Sequence, residues 1–182
     1  MITFMRQAFR RARDDESGTA TIPFVIFVPF FMTLMMASLE LGVLMTRWVM
    51  LERALDLTVR DLRLGHLPDI THNEFRDKVC ERSALLPDCK NVLLIELRPI
   101  DTNTWEPLAN GPICVDRSQS IQPVTTFNQG GGDQLMLIRA CAKFDPLFET
   151  SAIGLNLPKD GTGAYALVTS TAYVNEPAQG GG

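Results

Sequence analysis

Histidine is scarce in this chain, whose 182 residues include two, His66 and His72. The sequence also lacks a C-x-x-C pair, an H-E-x-x-H motif and a G-x-S-x-G motif. These absences remove the common signatures of a zinc site and of a hydrolase nucleophile with its base. We expect both histidines to be solvated loop residues, and we expect a protein that is not an enzyme and uses no metal or cofactor.

Basic residues are too few for a nucleic-acid-binding protein. The chain has 17 Lys and Arg against 21 Asp and Glu, and residues 47–182 hold 13 of the former and 17 of the latter. Binding to phosphates requires a basic face that neutralises them, so we expect no nucleic acid among the partners. A disordered chain is excluded as well, because 46% of the residues are hydrophobic and only 21% are charged.

Ionisable residues are almost absent between Thr19 and Thr46, where Glu40 is the one exception. This stretch of 28 residues exceeds the roughly 20 that cross a bilayer as a helix, so we predict a transmembrane helix over 19–46. A secretory signal peptide is the first alternative, but its apolar part spans only about 7–15 residues and ends at a small-x-small cleavage site. A buried core helix is the second, and it would need more surrounding protein than this short chain supplies.

All four cysteines, Cys80, Cys89, Cys114 and Cys141, follow the predicted membrane helix. An even number on one side favours two disulfides in an oxidising compartment over free buried thiols or a metal site. Four arginines precede the helix and four follow it closely, so basic charge does not set the orientation. The cysteines therefore place the N-terminus in the cytoplasm and residues 47–176 in the periplasm. Pairing Cys80 with Cys89 and Cys114 with Cys141 closes the shortest loops, but the sequence leaves the pairing open.

Four residues within the apolar segment are candidates for a role in helix packing or assembly. Pro29 is expected to kink the helix or loosen its hydrogen bonding. Ser38 and Gly42 form a small-x-x-x-small pair that lets a second helix approach closely, although small residues are also simply common in membrane helices. Glu40 is predicted to lie near the outer interface, where it is either hydrated, paired with Arg47, or a partner-binding charge at an assembly interface.

The part outside the membrane is predicted to be an α+β domain. The first helix continues as an amphipathic helix until Gly65 caps it. A second helix opens with the capping box Thr71-x-x-Glu74, runs to about Leu85 and is ended by Pro87. Strands of an antiparallel sheet, with the helices covering one face, are predicted at 92–97, 113–115, 135–144 and 165–174. Residues 177–182 form a flexible tail.

The leader and the apolar helix together follow a pattern seen in a known family. The acidic stretch Asp14-Asp15-Glu16 is followed by Gly18, then by an apolar helix with an internal Pro, and then by Glu-x-Gly about a dozen residues later. This arrangement resembles the N-terminal module of TadE-like proteins. The resemblance covers about residues 10–65, and the matching positions are Gly18, Phe24, Pro29, Glu40 and Gly42.

The resemblance implies a pseudopilin, or minor pilin, of the tight-adherence (Tad/Flp) pilus system in the bacterial inner membrane. Its partners would be membrane lipid, other Tad assembly proteins and minor pilins, and a prepilin peptidase that cuts between Gly18 and Thr19 after a leader over 1–18. The fifth residue after that bond is Pro23, where family members usually carry Glu. The alternative hypothesis is an unprocessed, membrane-anchored periplasmic binding or sensing module.

Overall fold

The computed structural model describes residues 21–104, 113–119 and 121–176, and it confirms the predicted α+β class. One long helix is followed by three shorter ones and by a three-stranded antiparallel sheet. The helices are α1 (Thr21–Arg63), α2 (His72–Arg82), α3 (Cys89–Val92) and α4 (Ala152–Asn156). The strands are β1 (Leu93–Pro99), β2 (Leu135–Phe144) and β3 (Tyr165–Val174).

Helix α1 is 43 residues long and continues through Pro29. It ends where Gly65 adopts a φ of 72°. The Gly65 N–H donates to the carbonyl of Leu62, and the His66 N–H donates to the carbonyl of Asp61, both at 3.0 Å. These are the two hydrogen bonds of a Schellman cap, so the predicted glycine stop is confirmed.

Helix α2 begins as its sequence predicts and ends three residues early. Thr71 and Glu74 form the expected capping box, in which each side chain bonds the other residue's backbone N–H. The helix ends at Arg82 rather than near Leu85, and Ser83 caps it with a backbone bond to the Cys80 carbonyl. The physical reason is the Cys80–Cys89 disulfide, which requires the chain to reverse within nine residues.

The sheet has the order β1-β2-β3, and one of its faces forms the core with α1. Alternate residues of each strand point to that face, as the register Leu97↔Ile138↔Thr171 illustrates. The second half of α1 packs on them through a helical stripe of buried residues. The stripe consists of Leu51, Ala54, Leu55, Thr58, Val59 and Leu62.

The predicted strand at 113–115 is wrong, because those residues are not in a strand. Cys114 is instead bonded to Cys141 on the middle strand, so the segment lies over the outer face of the sheet rather than beside an edge. The same face of the sheet carries a buried ion pair, in which Arg139 Nε donates to Glu96 Oε2 at 3.0 Å. The free edge of β1 is bridged by Phe127.

Candidate functional site on the long helix

The first half of α1 is exposed along almost its whole length. Among the described residues, α1 is the one helix that is long and apolar enough to span a membrane. No residue is buried in its most apolar stretch of 18 residues. Between Thr21 and Met35 all side chains are exposed except that of Val28, which is half-buried. Such a surface is unstable in water, and the length and composition suit a membrane anchor or a signal segment.

Glu40 is the first buried residue of α1 and lies against the domain, with 1% of its surface exposed. Its carboxylate accepts hydrogen bonds from the backbone N–H of Leu147 at 3.0 Å and of Phe148 at 2.6 Å. The expectation of a hydrated carboxylate or of a pair with Arg47 is therefore wrong. The reason is that a loop more than 100 residues away supplies two converging N–H donors, which satisfy a charge better than one flexible side chain.

Arg47 lies two turns after Glu40 on the same face of α1 and holds the start of the same loop. Its Nη1 donates to the Tyr165 hydroxyl at 3.0 Å and to the Asp145 carbonyl at 3.4 Å, and its guanidinium stacks on the Phe144 ring. Arg117 binds the Asp145 carboxylate with two hydrogen bonds of 2.6 and 3.0 Å, and these hold the pKa of Asp145 below its usual range. The loop is thus held at Asp145, Leu147 and Phe148.

The opposite face of α1 carries the predicted small-residue pair. Ser38 and Gly42 lie about 160° around the helix from Glu40, at 100° per residue. The Ser38 hydroxyl donates to carbonyls of the preceding turn, and a Cβ added to Gly42 would have no atom within 4 Å. Together with Thr46 they line an open groove of about 360 Å³, which Arg47 and the exposed side chain of Leu85 also line.

The remaining predicted residues are the four cysteines, Pro29, and the pair Gly18 and Thr19. The four cysteines form the pairs Cys80–Cys89 and Cys114–Cys141, which are the pairing with the shortest loops. Pro29 lies on the exposed part of α1, away from the domain. Gly18 and Thr19, the predicted cleavage residues, lie outside the described residues.

A polar cleft of about 460 Å³ lies on the domain away from α1. Arg76 and Lys90 contribute cations to its wall, and none of the described residues that line it carries a carboxylate. Asp77 lies beside it and accepts a hydrogen bond from Lys90 Nζ at 2.8 Å, which lowers the pKa of Asp77. His72 also lines the cleft and packs edge-on against Phe127, so the expectation of a solvated loop histidine is wrong for this residue.

Sequence reasoning missed the loop at Leu147 and Phe148, the partners of Glu40. Backbone N–H groups leave no mark in a sequence, because every residue except proline has one. The nearby helix α4 was missed as well, because five residues with an internal Gly154 carry no helical periodicity. Both belong to the part of the domain that meets α1.

Comparison with protein-family models, with curated proteins and with solved structures finds no match for this chain. What the structure itself establishes is a long apolar N-terminal helix followed by a small α+β domain with two disulfides. This arrangement is consistent with a domain held outside the cytoplasm by a membrane helix.

Proposed function

We propose that this chain is a single-pass membrane protein of pilus assembly, similar to the TadE-like pseudopilins of the Tad/Flp system. The observation that carries the proposal is that one half of α1 is exposed and the other half is buried in the domain core. Its residues 21–39 are almost entirely apolar and exposed, whereas Leu51, Leu55 and Val59 are at the centre of the domain core. One uninterrupted helix thus connects a lipid-facing half to a folded half.

That continuity supports a mechanical role. A domain on a flexible linker moves independently of its anchor, whereas a helix shared by both transmits rotation and translation of the membrane half to the domain. Glu40 and Arg47 strengthen the connection, because both bind the loop that starts at Asp145. Assembly proteins that are pushed or pulled through a membrane platform need this coupling, and catalysis does not enter the mechanism.

The groove at Ser38 and Gly42 is the surface that we assign to a neighbouring helix. Small side chains there leave the backbone of α1 open to close approach, and hydrogen bonding of the Ser38 hydroxyl within its own helix leaves an apolar rim. Glu40 is not assigned to a partner, since both of its oxygens accept hydrogen bonds from the same chain. The partners would be other Tad assembly proteins and minor pilins of the inner membrane.

Intact mass and N-terminal sequencing of the protein from native membranes test the proposal. A chain that begins at Thr19 identifies residues 1–18 as a prepilin leader, with Pro23 tolerated where the family usually has Glu. The matched control is a strain without the prepilin peptidase, in which the full-length chain should accumulate. If the chain keeps residues 1–18 in both strains, processing is ruled out.

The polar cleft favours one second candidate, an unprocessed anchored module that binds an anionic ligand in the periplasm. Arg76 and Lys90 line the cleft, and an anionic ligand would compete for them with Asp77, which lies 3.7 Å from Arg76 Nε and 2.8 Å from Lys90 Nζ. Titration of the full chain with inorganic phosphate, compared between the parent and Arg76→Ala, tests the cleft directly. This candidate takes precedence if phosphate binds the parent only, the leader is retained and a deletion strain still assembles normal pili.

A further inference from the structure

The loop held by Glu40 continues into α4, and we call residues 145–157 the Glu40-bound segment. It exposes two leucines, Leu147 with 52% and Leu155 with 68% of the surface accessible. Its ionisable side chains are Asp145, which Arg117 binds, and Glu149. The segment is therefore an exposed and predominantly uncharged surface on an otherwise acidic domain.

This segment is a defined unit in which α4 folds back on the loop. The Ser151 hydroxyl accepts the Gly154 N–H at 2.8 Å, and the Ser151 N–H donates to the Phe148 carbonyl at 3.1 Å. A Cβ at Gly154 would overlap that carbonyl, so only glycine permits the contact. Leu147 and Leu155 are consequently presented by one packed structure, which Glu40 attaches to α1.

The position of Glu40 on α1 sets the height of the segment relative to a bilayer. Glu40 follows Thr19, where the predicted membrane helix begins, by 21 positions, which at 1.5 Å per residue is roughly 32 Å, and the hydrocarbon core of a bilayer is about 30 Å thick. Met36 and Ala37, one turn before Glu40, are already half-buried, although nearly all side chains before them are exposed. The segment thus meets α1 where the helix leaves the hydrocarbon.

We infer that Leu147 and Leu155 insert into the lipid surface of the outer leaflet, an inference that rests on the proposed membrane anchoring. We take lipid as the occupant because the segment contacts α1 at Glu40, directly after the exposed apolar part of the helix, and because α4 packs on α1 as well. Apolar side chains gain free energy by leaving water at this boundary, and Glu149 can remain among the headgroups. The domain is then held against the bilayer at a fixed height.

Depth-dependent fluorescence quenching tests the inference on the full chain in vesicles of phosphatidylethanolamine and phosphatidylglycerol. Leu147→Cys and Leu155→Cys are labelled with a polarity-sensitive dye, and lipids that carry a nitroxide near the headgroup or deep in the acyl chain serve as shallow and deep quenchers. All four native cysteines are in disulfides, so the introduced thiol is the one that reacts. Leu64→Cys is the matched control, because Leu64 is 45% exposed and lies roughly 36 Å beyond Glu40 along the helix direction. Phe27→Cys reports on the anchor.

We expect blue-shifted emission and several-fold stronger quenching at 147 and 155 than at 64. Suppose that the labels at 147 and 155 show the same water-like emission as the label at 64, while the label at 27 is quenched. That result would overturn the inference but would still support the membrane anchor. If the label at 27 is not quenched either, the membrane anchoring itself fails and the inference fails with it.

Discussion

The Glu40 carboxylate accepts a hydrogen bond from the backbone N–H of Phe148, 2.6 Å away and 108 residues further along the chain. A second bond from the Leu147 N–H reaches the other carboxylate oxygen. The carboxylate, which follows the exposed apolar part of α1, is thus stabilised by backbone N–H groups of its own domain rather than by a cation. This contact fixes how the folded domain meets the helix.

We predict that Glu40→Ala lowers the free energy of unfolding by about 2–4 kcal/mol, because two buried N–H donors lose their acceptor. Glu40→Gln should be milder, since the amide oxygen still accepts one of the two bonds. Denaturation of the full chain in detergent micelles, followed by Trp48 fluorescence, provides the measurement. Trp48 is a suitable reporter because its indole N–H donates to the Val168 carbonyl. The exposed Glu52→Ala on the same helix is the control, and an equal loss there would contradict the prediction.

The two disulfides should contribute unequally to stability. Cys114–Cys141 spans 27 positions and Cys80–Cys89 spans nine, which corresponds to roughly 3.5 and roughly 2.5 kcal/mol of loop-closure entropy. Replacing Cys114 and Cys141 by serine should therefore lower the unfolding midpoint more than replacing the other pair. The reverse order of midpoints would show that the long loop stays in place without its bond.

Acid should weaken the domain partly through Asp160. Lys143 Nζ donates to its carboxylate at 2.7 Å and Thr162 adds further bonds, so the pKa of Asp160 lies well below its usual range. A depressed folded-state pKa stabilises the protein above the unfolded-state pKa, near 3.9, and the contribution is lost as pH falls toward the folded-state value. Asp160→Asn should flatten the pH dependence of unfolding below about pH 4. An unchanged pH dependence in Asp160→Asn would contradict this prediction.

Two glycines form a matched pair for the packing argument. Gly154→Ala should lower stability by about 1–3 kcal/mol, because the new Cβ meets the Phe148 carbonyl. Gly42→Ala should be neutral or slightly stabilising, because it meets no atom and alanine favours a helix. Thermal unfolding of both variants under the same conditions makes the comparison. Equal midpoints for the two variants would contradict the packing around α4.

Substitutions at Gly42 also test assembly independently of folding. Gly42→Leu should fill the groove beside Ser38 and hinder a neighbouring helix without disturbing the domain, since the position is exposed. We expect fewer pili on cells that contain normal amounts of folded Gly42→Leu, and normal numbers with Gly42→Ala. Normal piliation with both variants would exclude the groove as the partner site.

Local signals in the sequence predicted most of the elements. The alternation of apolar and polar residues predicted β2 and β3 with the bounds that the structure has. The capping box at Thr71 predicted the start of α2, and Gly65 predicted the end of α1. Each of these signals acts within a few residues, so it survives without knowledge of the fold. The short apolar run at 113–115 failed as a strand because its place depends on Cys141, which is distant in the chain.

The sequence by itself determined that an apolar helix precedes a cysteine-containing α+β domain, because hydrophobic periodicity and residue type are local properties. Only the tertiary structure decided what Glu40 binds, which cysteines pair and how the segment around Leu147 meets the helix. The physical reason is that these contacts join residues tens to more than 100 positions apart through backbone groups and packing. Such groups carry no residue-specific mark, so their partners become visible only in the folded chain.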